Sequence, residues 1–358
     1  MRVLFASTSE IAIPSIKSLQ SAGLEVIGLI TKADRPTGRG QVLKPQQIAI
    51  ELEGSLPIFK VADHESLART LTELRPDLVI AISFGMLVRT DSLLIPRHGW
   101  INLHFSLLPK YRGAAPVQRA ILAGDQESGV TVFKLDEGMD TGPIYASKSL
   151  SITGKNYGDV LGEMSVLGSD LLLGVIAQIS RGVNPTPQQG EASLARKISS
   201  DETRLDFSTN AECIERQIRA FAPKPGAWCF FRGNRVKILA ATVSSESSGN
   251  MGEVVKVSPL TVKADAGSLI IETVQESGKR AMDSSEWARG SRIEIGDKFE
   301  WVTRSKFNLN PFILDASLRL GYGPVGAFVN YALLSTFKNG TTVGQFPIRF
   351  GISLNIPQ

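Results

Sequence analysis

The segment INLHFSLLPKYRGAAP, residues 101–116, decides the reading of this chain, because an apolar strand ends within it and breaks into a loop rich in proline and glycine. Alternate residues of a strand share a face, so Asn102 and His104 point the same way at the strand's carboxyl end. An amide able to hold an oxyanion and an imidazole able to pass a proton then face one crevice, the pairing that acyl transfer needs. The other two of the three histidines have no such setting: His64 sits in the charged VADHES, and His98 precedes Gly99 in a turn.

Downstream, the strand-like VTVFKL runs into DEGMDTGPI, placing Asp140 between Gly138 and Gly142 in a turn that suits a tight loop beside a ligand. Arg112, Gly113 and Pro116 form a rigid turn able to bring backbone N–H groups near a ligand, ahead of the helical run VQRAILAGD. Taken singly, Asn102 reads as a turn former, Asp140 as an Asx-turn or cap residue and Ser106 as a local cap. Together, on one strand, loop and helix, they read as a site.

Upstream, strand and helix signals alternate. RVLFAS reads as a buried strand, IPSIKSLQSAG as a helix ended by Gly23, LEVIGLIT as a strand, HESLARTLTEL as a helix, and DLVIAIS and WINLHF as strands. A long helical stretch, GDVLGEMSVLGSDLLLGVIAQIS, closes the region. The pattern is α/β, a Rossmann-like doubly wound parallel sheet with its active site at the carboxyl ends of the strands. A dinucleotide-binding module is disfavoured, since Ala6, Ser7, Thr8 and Ser9 follow the first strand where G-x-G-x-x-G would stand. Cys213 and Cys229 lack zinc-like spacing with histidines and read as free thiols of a reducing compartment; no metal is expected.

Residues 181–195, RGVNPTPQQGEASLA, read as a linker between a domain at 1–180 and a smaller β-rich domain at 196–300. In the latter, a helix around AECIERQIRAF precedes the strand-like WCFFRG, RVKILAATV, GEVVKV, LTVKAD and SLIIETV, which suggest a small barrel. Residues 301–358 form a β-rich tail of about three strands, with a turn at Lys338-Asn339-Gly340, that loosely looks like closing strands of an outer-membrane barrel. Three strands cannot close a barrel, and the tail is left unassigned. It carries the whole net charge of +4, so any nucleic-acid surface in the first 300 residues is local. The candidates are the loop 32–45, with Lys32, Arg35, Arg39 and Lys44 against Asp34, and the region 196–237.

Residues 1 to about 299 resemble the methionyl-tRNA formyltransferase family. The Asn-x-His and SLLP motifs are present, and ADRPTGRGQVLKP, VIAISFGMLV, IRAFAPKPGAW and GNRVKI follow in the family's order. The opening MRVLFASTSEIAIPSI also matches, with Ser7 and Ser9 in place of the usual glycine and proline, a change expected to loosen the first turn slightly. The resemblance implies the formyltransferase fold with an OB-like C-terminal domain that helps hold tRNA. It implies transfer of a formyl group from 10-formyltetrahydrofolate to the α-amino group of methionyl-tRNA, making formylmethionyl-tRNA for translation initiation. Asn102, His104 and Asp140 map onto the catalytic residues, with Asp140 orienting His104. Ser106, Leu107, Leu108 and Pro109 map onto the folate-binding segment. Arg39 maps onto the residue that reaches the acceptor end of the tRNA, with Arg35 and Lys44 beside it.

The expected partners are initiator methionyl-tRNA and tetrahydrofolate, without a membrane, in a cytoplasmic monomer. The alternatives are formyl transfer to another amine, such as a sugar nucleotide or purine precursor, hydrolysis of the same folate, or an inactive folate- or tRNA-binding protein.

Overall fold

Apolar runs form β1 (Arg2–Ser7), β2 (Glu25–Lys32), β3 (Ile58–Val61), β4 (Leu78–Ile82) and β5 (Trp100–His104), all parallel, in spatial order β3-β2-β1-β4-β5. The structure is a computed structural model that describes residues 1–37, 42–246 and 248–300, together with the backbone of 315–322, 325–332 and 348–354. Beyond β5 the sheet departs from the parallel pattern, because β6 (Glu127–Lys134) and β7 (Ile144–Ser151) continue it antiparallel. For β6 and β7 the reason is the short connection between them, since a parallel return needs a crossover of about a dozen residues or more.

Alternation along β1 builds both faces. Val3 and Phe5 join the core beneath α1 (Ile13–Ser21), while Leu4 and Ala6 join the opposite core with Leu67 and Leu71 of α2 (His64–Leu74). His64 is thus the first residue of a helix capped by Asp63. After α3 (Pro116–Ala123), α4 (Tyr157–Ser180) lies so close to β5 that a Cβ on Gly168 would stand 2.5 Å from Leu103 Cδ2. Leu103 is therefore committed to the α4 side, and Asn102 and His104 are turned to the other. Although α4 is apolar along its length, Val160, Met164, Leu172 and Val175 are buried in this core.

The serines of the first turn tie it locally. Ser7 Oγ donates to Ser9 O and accepts from Ser9 N, each at 3.1 Å, so the hydroxyl supplies the constraint.

The second sheet, within the same unit, follows α5 (Ala211–Phe221) and is antiparallel. Its edges, at Val254–Val257 and Phe299–Glu300, are joined by the bridge Glu253–Lys298, with Phe299 N–H donating to Gly252 O at 2.7 Å. The sheet thereby closes into a small barrel. Bidentate pairing of Arg119 with Glu202 ties α3 to the chain entering this part, and Arg119, together with the Ser199 amide, holds the Glu202 carboxyl below its usual range.

Residues Val302–Gln358 constitute a separate unit, in which Asp315–Tyr322, Val325–Ala332 and Ile348–Leu354 pair antiparallel in chain order. The turn expected at Lys338-Asn339-Gly340 lies outside the described residues.

Candidate active site

Asn102 and His104 open into a cleft of about 610 Å³ at the carboxyl ends of β4 and β5, and Asp140 lies on its rim. One wall is apolar, built from Phe84, Met86, Leu87, Val88 and Leu135. His104 is buried, at 6% exposure, with its ring set edge-on to Phe133. Asn102 is half-buried, and no protein group among the described residues hydrogen-bonds its side-chain amide. A buried amide in a structural role is normally satisfied; this one faces the cleft.

His104 Nε2–H donates to the backbone carbonyl of Tyr111 at 2.9 Å. A carbonyl can only accept, so the proton is fixed on Nε2 and Nδ1 is the nitrogen turned toward Asp140. The tautomer is thus set by Tyr111, where the sequence suggested Asp140. Asp140 Oδ2 lies 3.8 Å from Nδ1, an ion-pair separation beyond hydrogen-bond range, and accepts instead from Gly113 N at 2.7 Å. The Gly113 N–H, expected to serve a ligand, serves the carboxylate.

The backbone here is shaped by its neighbours. Asp140 and Tyr111 both adopt left-handed φ values, +55° and +61°. Tyr111 is held by Ser193 Oγ, which accepts from its N–H at 2.9 Å, and by its own hydroxyl, which donates to Asp125 at 2.9 Å. Burial, reinforced by Asp125, pushes the Tyr111 hydroxyl pKa up, so it remains a donor. Gly142 is obligatory, since a Cβ there would stand 1.8 Å from Lys134 O. Gly142→Ala is expected to destabilise the protein by roughly 1–3 kcal/mol, measured by denaturant unfolding, through forced displacement of the Asp140 turn.

The SLLP residues do not line this cleft. Ser106 Oγ donates to Lys110 O at 2.6 Å, while Thr131 Oγ1 donates to Ser106 O and accepts from Leu108 N. Ser106, Leu108 and Pro109 are buried, and the segment is tied to Thr131, the strand partner of His104. Arg35 lies on a strand, Arg35–Thr37, that pairs antiparallel with Val42–Lys44, and Lys44 is exposed. Arg39 lies outside the described residues. Among the described residues, no three His, Cys, Asp or Glu side chains converge as a metal site.

A family model described as formyl transferase matches residues 1–163, and the model of the formyl transferase C-terminal domain matches 197–292. The methionyl-tRNA formyltransferase of Thermus thermophilus is 40% identical over 309 residues, covering 84% of this chain and 100% of that protein. That of Acidothermus cellulolyticus is 39% identical over 325 residues, with the same coverage. The chain belongs to the methionyl-tRNA formyltransferase family.

Among solved structures, HypX from Aquifex aeolicus aligns with a TM-score of 0.61 at 18% identity, covering 88% of this chain and 52% of HypX, so this chain spans about half of HypX. An N-formyltransferase from Helicobacter canadensis, solved with folinic acid and dTDP-3-aminofucose, aligns with a TM-score of 0.56 at 20% identity, covering 76% of this chain and 98% of that one. Both likenesses show the formyltransferase-family fold.

Against this family background, three features of the site were given no role from sequence. Residues 84–88 entered only as part of the VIAISFGMLV match, yet Phe84, Met86, Leu87 and Val88 line the cleft. Tyr111 acts through its carbonyl, which any residue could supply. Gln188 and Ser193 fell in a stretch whose composition reads as a tether. Instead, Thr186 bridges Ile144, and Leu194–Ala195 pairs with Arg112–Gly113.

Proposed function

We propose that this chain transfers the formyl group of 10-formyltetrahydrofolate to the α-amino group of methionyl-tRNA. The reading is carried by the convergence of Asn102, His104 and Asp140 on one cleft, in a chain that spans its family relatives end to end. The apolar residues at Phe84–Val88 suit one face of a flat heterocycle, and Asn102, His104 and Asp140 line the same cleft, where a formyl carbon would be attacked. The Asn102 amide donates to the oxygen that gains charge, and the imidazole edge at Nδ1 stands beside it. With Nε2–H held by Tyr111, Nδ1 takes the proton the amine loses as it bonds to the formyl carbon, the Asp140 carboxylate stabilises the imidazolium that results, and that proton passes to the folate N10 as its bond to the formyl carbon breaks and tetrahydrofolate leaves. In this reading Ser106, Leu107, Leu108 and Pro109, which directly follow the strand of His104, are the segment that serves the folate donor. All three side chains come from one chain, as a monomer requires, and the cytoplasm is where methionyl-tRNA is met.

The tRNA would be held by phosphate contacts that position the acceptor arm without selecting it. The paired strands Arg35–Thr37 and Val42–Lys44 are suited to this, because their neighbouring acid, Asp34, is already paired with Lys60 at 2.8 Å. Arg39→Ala is expected to raise the KM for tRNA and to reduce the slope of log affinity against log salt by about one. Unchanged tRNA kinetics across a salt series would remove Arg39 from the interface. The acceptor itself is tested by offering methionyl-tRNA and an amino-sugar nucleotide together with the donor. Formylated methionyl-tRNA is the expected product; formylation of the sugar alone would replace this reading.

A further inference from the structure

The segment between the two sheets contributes to the site from behind. Gln188 spends its whole side-chain amide there. Nε2 donates to Asp140 O and to Gly142 O, both at 2.8 Å. Oε1 accepts from Arg112 Nη2 at 2.6 Å and from Arg112 Nε at 3.2 Å. One half-buried side chain therefore joins the turn that carries Asp140 to the turn that carries Gly113, whose N–H holds the Asp140 carboxylate. Five residues on, Ser193 holds Tyr111, the other partner of His104.

Asp140 is a non-glycine residue in the left-handed region, a conformation that persists only where surroundings over-determine it. Two contacts do so: Gly113 N–H on its carboxylate and Gln188 on its carbonyl.

We infer that Gln188 is a positioning residue of the active site, whose amide locks the Asp140 and Arg112 turns together so that the Asp140 carboxylate faces His104 Nδ1. The kinetic part of this inference rests on the formyl-transfer reading; the geometric part does not. It also gives the stretch between the sheets a catalytic task, since the same few residues that lead into the second sheet set both neighbours of His104.

Gln188→Ala removes all four hydrogen bonds. Gln188→Glu keeps the size and the Arg112 pairing but cannot donate to the two carbonyls. Both variants are expected to lower kcat about 10–100-fold, as misplacement of a reacting group by about 1 Å does, with each KM within about twofold. In an Asp140→Asn background Gln188→Ala is expected to cost little more, because its effect runs through Asp140. The imidazole signals of His104, one of three histidines, are expected to move in nitrogen-detected NMR spectra of both variants. A kcat within twofold of wild type, or a loss that multiplies fully with that of Asp140→Asn, would overturn the inference. If the wild-type chain transfers no formyl group, the functional reading fails, and the His104 spectra still decide the role of Gln188: unmoved signals reject it.

Discussion

Asp140→Asn is expected to lower turnover in formyl transfer by about 10²–10⁴-fold, the range spanned by loss of positioned acid–base assistance, while leaving the fold and donor binding nearly unchanged. The asymmetry follows from the two partners of the carboxylate. An asparagine oxygen still accepts from Gly113 N–H, so the turn keeps its anchor, and Gln188 acts on the backbone carbonyl, which the substitution does not touch. What is lost is negative charge 3.8 Å from His104 Nδ1. An imidazolium formed there would then have only the Tyr111 carbonyl for support. The comparison is made by steady-state kinetics alongside a thermal unfolding midpoint and donor binding by fluorescence. Turnover near wild type would show that Asp140 shapes the loop and nothing more.

Asn102→Ala is expected to lower kcat by about 10²–10³-fold, roughly 3–4 kcal/mol of transition-state stabilisation for one oxyanion donor. Its stability effect is expected to be small, within about 0.5 kcal/mol, because no described protein group hydrogen-bonds the amide and nothing is left unsatisfied by its removal. A structural asparagine would show the reverse, a large loss of stability with modest change in turnover. Measuring kcat and the denaturant midpoint on the same preparation separates the two.

That Asn102 and His104 open into one cleft was readable from sequence because strand periodicity is short-range: the two share a face whatever the remainder of the chain does. The parallel strands were readable for a similar reason, as apolar runs alternating with amphipathic helices. The antiparallel edge was not, because β7 carries Tyr145, Lys148 and several serines on an exposed border and shows no apolar run. The contact of His104 with Tyr111 joins residues seven apart through a loop, and that of Gln188 with Asp140 joins residues 48 apart through backbone carbonyls. Backbone acceptors leave no residue-type pattern, so neither could be seen before the fold was known. In the SLLP segment the side chains of Ser106, Leu108 and Pro109 are buried, and Thr131 hydrogen-bonds its backbone, a contact that leaves no residue-type pattern in the sequence.

The three strands Asp315–Tyr322, Val325–Ala332 and Ile348–Leu354 fall where the period-two pattern of the sequence suggested strands.

The central claim is that this cleft moves a formyl group onto the amine of methionyl-tRNA. It is tested most directly by incubating the intact chain with 10-formyltetrahydrofolate and methionyl-tRNA and measuring, by mass spectrometry, formylmethionine released from the tRNA together with tetrahydrofolate formed. Equal amounts of the two products are predicted, with both nearly abolished by Asp140→Asn. Tetrahydrofolate formed with formate and no formylmethionine would contradict the account and identify a hydrolase.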